Sequence, residues 1–405
     1  MSYSKQEVMQ YVREEDVKFI RLTFCDVFGR QKNISIMPQE LSRAFDYGIA
    51  FDASSVAGFG DETRSDLLLR PEPGTLAPLP WRPEHGRVVR MFADIARPNG
   101  SPFKQDTRKI LKKAVEDAEK AGLRFFFGAE QEFYLFTTDE AGRSTRIPYD
   151  EAGYMDLAPE DKGENIRREI CLTLEQMGIC PESSHHEEGP GQNKIDFRYS
   201  DALTAADQAM TFRTVAKTVA CRNGLTADFS PKPLINHPGN GFHINISVKA
   251  QDGSNQMDSM ISGILLHIRE MTLFLNPGEN SYRRLGKCKA PEYISWSAQN
   301  RSQLIRIPAA EGEYRRAELR SPDPEANPYL AFALIIQAGL DGIRDRLPLR
   351  PPVNENLYQA DSSRLALLEL KRLPASLEQA CRAAADSSFI KAHIPPAILD
   401  AYCNR

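Results

Sequence analysis

In AEQEFYLF (residues 129–136) two glutamates stand two residues apart inside an otherwise apolar run. Side chains at i and i+2 of a strand point the same way, so Glu130 and Glu132 share a face. Two carboxylates pressed together in a largely buried strand repel each other. They become tolerable when cations lie between them or when one takes a proton. A fold that contains this strand has to bring cations to that face or keep one carboxyl protonated.

The same device recurs. GFHINISV puts His243, Asn245 and Ser247 on one face, with Phe242, Ile244 and Ile246 on the other. RRAELRSPDP puts Arg316, Glu318 and Arg320 on one face, and QNRSQLIRIP adds Arg301 and Arg306. One such strand reads as half-exposed with a solvated face. Three of them, rich in Glu, His and Arg, read as one site. Oxygen ligands with a single imidazole suit Mg2+ or Mn2+ better than zinc. Neighbouring arginines suit phosphate oxygens. Together they suggest metal-assisted phosphoryl transfer from a nucleotide. Neither GxxxxGKS/T nor GxGxxG occurs, which excludes a P-loop and a Rossmann turn.

The 405 residues exceed one small core and point to two domains. The N-terminal part, residues 1–105, reads as strand-rich, with VKFIRLTFCDVFG alternating and then turning at Gly29. FDASSVAGFGDETRSDLLLRPEPGTLAPLPW reads as loop, because Gly, Ser and Pro run through it. From 106 to 405 short apolar strands alternate with amphipathic helices. The first helix, DTRKILKKAVEDAEKAG, has Asp106 as N-cap and Gly122 as its stop. Helices are also expected in ALTAADQAMTFRTVAKTVACRNG and NPYLAFALIIQAGLDGI, which gives an α+β or α/β catalytic part.

A net charge of −4 argues against a nucleic-acid surface. No apolar run reaches the ~20 residues of a bilayer span, so no membrane partner is expected. The charged N-terminus lacks a signal-peptide block. Seven scattered cysteines without a CxxC read as free thiols of a cytoplasmic protein.

Taken together, FDASS, SDLLLRP, GAEQEFYLF, HHE followed by PGQN, GNGFH, NSYRRL, NRSQLIRIP and AELRSPDPEANPYLAFALIIQAGLDGI resemble the type I glutamine synthetases over nearly the whole chain. The resemblance implies an α+β fold, with an N-terminal β-grasp-like domain and a C-terminal carboxylate–amine ligase domain on a curved antiparallel sheet. It implies hexameric rings, stacked as a dodecamer, with each active site between two subunits. It further implies ATP and Mg2+ or Mn2+ as cofactors, and an acyl phosphate, γ-glutamyl phosphate or an analogue, attacked by ammonia or another amine.

Carried over residue by residue, Glu130, His243 and Glu318 would hold the metal on the nucleotide phosphates. Glu132 and Glu187 would belong to the other metal site. Arg301, Arg306 and Arg316 would meet phosphates or the transferring group, and Ser247 the nucleoside. Arg284, Arg320 and Gly239 would bind the amino acid, with Glu132 and His243 beside it. Asp52 would draw a proton from ammonium in the neighbouring subunit's site.

Two positions depart from the family pattern. Lys194 stands where the third carboxylate of the first metal site is expected. Lys289, in LGKCKAP, stands where a flap glutamate shields the acyl phosphate and helps bind ammonium. A divalent ion and an ammonium ~4 Å apart repel by roughly 8 kcal/mol at an effective dielectric near 20. Full charge on Lys194 therefore conflicts with a filled first metal site. Lys194 could swing away while Glu188 ligates, it could be neutral, or its ammonium could replace the ion between Glu132 and Glu187. The last is favoured over a lysine turned to solvent. Lys289 predicts poor use of free ammonia. Three readings follow: the ligase itself, a ligase with a changed acid or amine, and a catalytically weak nucleotide-binding ring that regulates or scaffolds.

Overall fold

VKFIRLTFC forms β1 (Val17–Cys25), whose residues Ile20 and Leu22 are fully buried. It pairs antiparallel with β2 (Gln31–Ile36) after the turn at Gly29, whose φ of +77° is open to glycine. The remaining strands of this sheet are β3 (Ile49–Asp52), β4 (Asp66–Pro71), β5 (Ala77–Pro78) and β6 (Arg87–Ala96). Their order is β2-β1-β6-β4-β3, with β5 added to β6, and β1 lies parallel to β6 at its centre. The segment read as loop thus contains β4. Leu67, Leu69 and Pro71 alternate inward there, a signal hidden by the Gly and Pro residues around it.

The structure, a computed structural model, describes residues 3–61, 63, 65–82, 85–310 and 312–405. This first sheet belongs to a unit that runs to Ile110 and takes in Leu172–Ile179 and Pro395–Arg405. The second unit comprises Leu111–Cys171 and Cys180–Ile394.

Among the described residues the second unit carries a ten-stranded sheet: β7 (Leu123–Thr138), β8 (Ser144–Pro148), β9 (Pro181–His186), β10 (Gln192–Phe197), β11 (Ser200–Asp201), β12 (Leu225–Asp228), β13 (Phe242–Ala250), β14 (Trp296–Ala298), β15 (Ile305–Ile307) and β16 (Ala317–Leu319). The main path is β14-β15-β16-β13-β7-β10-β9, antiparallel throughout except for β14 with β15. The class is α+β.

The long strand β7 shows why the sheet has two unlike faces. Phe125, Phe127, Ala129 and Phe133 alternate into the core beneath helices Ala202–Arg222, Met257–Leu275 and Pro328–Arg344. The rings of Phe127 and Phe332 stack at 4.3 Å. Gln131 lies on this apolar face and is fully buried. It is satisfied there by donating to the Ala209 carbonyl oxygen at 3.1 Å and accepting from Arg213 at 2.7 Å. Helices Met257–Leu275 and Pro328–Arg344 touch backbone to backbone: a Cβ on Gly263 would fall 2.0 Å from the Ala338 carbonyl oxygen. With one face sealed this way, the Glu130/Glu132 face is left for chemistry. Among the described residues no helix is long and apolar enough to cross a membrane.

Candidate active site

The ladder registers assemble the polar face row by row. In one row Ser183, Asp196, Glu130 and His243 lie side by side across β9, β10, β7 and β13. One step along, His185 and Lys194 stand beside Glu132. One step the other way, Gly128, Asn245, Glu318 and Arg306 form a third row. Directly opposed residues on one face of a sheet lie within reach of each other. A two-residue repeat on four of these six strands therefore becomes a patch of interacting charges.

His243 sits at the centre. Its Nδ1 is 3.5 Å from Glu130 Oε2, 3.5 Å from Glu318 Oε1 and 4.0 Å from Glu132 Oε1. That nitrogen is buried without a hydrogen-bond partner. Burial, outweighing Glu132 and Glu130, lowers its pKa and favours the neutral ring. An orphaned imidazole nitrogen facing carboxylate oxygens on three sides is a donor set for a divalent cation. One ligand atom each from Glu130, His243 and Glu318 lies within 4.8 Å of the others. These residues fit the implied metal.

The other donor set does not. Lys194 is 6% exposed, so it is not turned to solvent. Its Nζ lies 2.6 Å from Glu130 Oε2 and 3.9 Å from Glu132 Oε1. The ammonium therefore bridges Glu130 and Glu132, rather than Glu132 and Glu187 as expected. Burial disfavours its charge, but Glu130 and then Glu132 outweigh that and raise its pKa. Reciprocally, burial pushes Glu130 up, yet Lys194 and His243 hold it well below the usual carboxylate range. For Glu187 the balance goes the other way: burial and then Glu132 push it up to about 8, more than Lys194 holds it down. Glu188 pairs with Lys289 at the cleft surface instead.

Other groups meet one another. Glu318 accepts from Arg306 at 2.7 Å and lies 3.4 Å from Arg320 Nε. Asn245 donates to Glu130 at 2.7 Å and accepts from Arg316 at 2.9 Å, bridging the two rows. Arg284 is buried, donating to the Ser321 carbonyl oxygen at 2.7 Å. The Gly241 N–H donates to Glu132 Oε2 at 2.7 Å and so fixes its carboxylate.

Glu130, Glu132, Glu187, Gly239, His243, Arg284, Lys289, Arg301, Arg306, Arg316, Glu318 and Arg320 all line one cleft of about 420 Å³. Ser247 lines an adjoining cleft of about 830 Å³, walled by Phe126 and Tyr199, which shares Glu130, Asp196 and Arg316 with the first. Asp52 lies in the other unit and lines neither cleft. There it ends β3 and accepts from the Ser54 N–H at 2.9 Å, which helps hold its carboxyl below the usual range.

Asp196 and its partner Ser183 are not singled out by the sequence, whereas His185 belongs to the HHEE run that reads as a hard-metal site. Asp196, pushed up to about 6 by burial and then by Glu130, lines both clefts and accepts from Ser183 at 2.6 Å. His185 lies 3.8 Å from Glu187. The i, i+2 spacing of Lys194 and Asp196 was the available signal.

Comparison with known proteins follows the same lines. The glutamine synthetase catalytic-domain model matches residues 104–405, and the glutamine synthetase β-grasp-domain model matches residues 16–98. A glutamine synthetase of Clostridium saccharobutylicum is 44% identical over 392 residues, covering 93% of this chain and 88% of its own. One of Methanosarcina mazei is 44% identical over 402 residues, covering 96% and 90%. Among solved structures, a GmaS/ADP complex superposes with a TM-score of 0.88 at 28% identity, over 98% of this chain and 94% of that one. A β-grasp domain joined to a catalytic domain, and relatives this similar along almost their full length, place the chain in the glutamine synthetase family.

Proposed function

We propose that this ATP-dependent ligase of the glutamine synthetase type activates a side-chain carboxylate as an acyl phosphate and passes the acyl group to ammonia or another amine. Glutamate and γ-glutamyl phosphate are the reference case. The observation that carries the reading is the orphaned His243 Nδ1, ringed by three carboxylates where two clefts meet. A Mg2+ or Mn2+ ion held by Glu130, His243 and Glu318 would offset phosphate charge during transfer.

The chain's own residues do the rest. Ser247, with Phe126 and Tyr199 around it, receives the nucleoside in the larger cleft; that the similar GmaS was solved as an ADP complex supports nucleotide binding by this chain. Arg316 lines both clefts, and Arg301 and Arg306 line the smaller one, so phosphate oxygens held where the clefts adjoin meet guanidinium groups. Arg284 and Arg320, with Gly239, orient the amino acid. Glu132, pinned by Gly241, lies beside it. Asp52 takes a proton from the incoming ammonium in a neighbouring subunit's site, which requires hexameric rings, stacked here as a dodecamer. Lys289 stands at the mouth and bears on which amine enters. We place the domain boundary near residue 105 and the protein in the cytoplasm.

The test is ADP release measured across a panel of acids and amines. Release with glutamate and ammonia supports the reference case. Release with another pair redefines the substrates. Nucleotide binding with no turnover on any pair sinks the ligase reading.

A further inference from the structure

Lys194 is held where it is by its neighbours in sequence. Asn193 and Ile195, on the opposite face of β10, are both fully buried. Asn193 accepts from Arg167 at 2.6 Å and donates to the Gly191 carbonyl oxygen at 2.9 Å. Arg167 in turn is paired with buried Asp161. Moving Lys194 to the other face would require β10 to slip or flip, which would expose Ile195 and break this network. The lysine is therefore a fixed part of the cleft wall, and its Nζ meets the two carboxylates that the family pattern divides between two metal ions.

Glu130 Oε2 faces both the ammonium at 2.6 Å and His243 Nδ1 at 3.5 Å. A carboxylate offers about four lone-pair sites, so Glu130 can meet the ammonium and still serve the cation beside His243, with the negative charges of Glu130, Glu132 and Glu318 offsetting the repulsion between the two cations. Glu132 has one oxygen taken by the Gly241 N–H and the other turned to Lys194. Glu187 is left without a third carboxylate to share an ion with. Glu188, the nearest replacement in sequence, is engaged by Lys289.

We propose that the Lys194 ammonium is a covalently tethered cation that takes the place of one divalent ion. This ligase then works with the single ion held by Glu130, His243 and Glu318. The inference rests on that metal site being as read above, and goes beyond it by assigning Lys194 as an ion substitute.

The experiment counts metal on the intact assembled protein, without nucleotide or turnover. Mn2+ is titrated and the free ion is read by electron paramagnetic resonance. Wild type should saturate at one tightly held Mn2+ per subunit, and Lys194→Glu at two. Glu318→Gln should weaken the wild-type ion at least tenfold. Two tight ions in wild type overturn the proposal, and that count needs no variant to fold. A Lys194→Glu protein that keeps its assembly and its far-ultraviolet circular dichroism yet still binds one ion also overturns it. No tight ion in wild type sinks the metal-site reading and this inference with it. One ion that survives Glu318→Gln unchanged shows that the ion lies elsewhere, and likewise refutes both.

Discussion

Replacing Glu318 with glutamine separates its two duties, because one of them is visible without any metal. The carboxylate is buried and meets Arg306 Nη1 at 2.7 Å and Arg320 Nε at 3.4 Å. At an effective dielectric of ~20 these contacts amount to roughly 6 and 5 kcal/mol of gross attraction. Most of that offsets the cost of taking three charges out of water. What remains measurable is the cost of leaving two guanidinium groups without their counter-charge, about 3–5 kcal/mol for a broken buried pair. Glutamine keeps the shape and one acceptor oxygen, so packing changes little.

Trp296 is the reporter. It sits on β14 opposite Ile305, beside the Arg306 row, and the only other tryptophan, Trp81, belongs to the other unit. In a Trp81→Phe background, urea unfolding followed by Trp296 fluorescence in metal-free buffer should show the second unit destabilised by about 3–5 kcal/mol in Glu318→Gln. Arg306→Met added to Glu318→Gln should cost less than the sum of the two single changes, because each removes the other's partner. A Glu318→Gln protein within about 0.5 kcal/mol of wild type, or strictly additive single and double changes, would refute the reasoning.

Gly241→Ala places a Cβ 2.5 Å from His243 Nε2 and 3.0 Å from Arg284 Nη2, while Glu132 depends on the N–H of the same residue. ADP release should fall by about 10²-fold, the scale of an ångström-sized misplacement, with circular dichroism unchanged; full activity would show that the cleft is not pre-organised. His186 directs Nδ1 at the Glu187 carbonyl oxygen (2.7 Å) and Nε2 at Asp150 Oδ1 (2.8 Å), both acceptors. Burial lowers its pKa, but the hydrogen bonds to Asp150 and the Glu187 carbonyl and the charges of Asp150 and Asp161 together outweigh that, and the net shift is upward. A raised histidine pKa gives stability that is complete below the unfolded value of about 6.5 and is lost as pH climbs through the folded value. Thermal midpoints should therefore drop as pH rises beyond about 6.5, and Asp150→Asn should flatten the drop; parallel profiles would contradict the pairing. Lys289→Glu should raise kcat/KM for ammonia by about tenfold, the low end of charge focusing in a cleft, and no gain would remove Lys289 from the account of acceptor choice.

What could be read from single segments was facing, and what could not was register. The two-residue period in AEQEF says that Glu130 and Glu132 look the same way, and it says the same of His243 with Asn245. Nothing in either segment says that His243 lies opposite Glu130, or that Lys194 lies opposite Glu132. Those pairings belong to the antiparallel ladder, which turns and crossovers set over long sequence distances. This is why Lys194 was expected between Glu132 and Glu187, whereas the register brings it to Glu130 and Glu132. Asp196 was overlooked because its importance comes from Glu130 across the strand gap, not from KIDF itself. Helices fared better. Their caps and periodicity are local, and Asn327 caps Pro328–Arg344 through its own side chain.

The two lysines that break the family pattern act at different depths. Lys194 is buried in a wall whose opposite face is sealed, and its partners are two carboxylates that cannot move apart without breaking β7. A charge reversal there falls on the ion inventory of the cleft, because a buried charge is screened far less by water and salt than an exposed one. Lys289 is exposed, on a turn where both it and Cys288 take positive φ, and it pairs with Glu188 at the surface. Water and salt can screen that charge, so its effect falls on which molecules approach. The same reversal of sign thus changes metal count in one place and acceptor entry in the other. Raising ionic strength should relax the second effect and leave the first in place. Mn2+ stoichiometry and ammonia kinetics, each measured at low and high salt, should therefore diverge, and a salt response shared by both would undo the distinction.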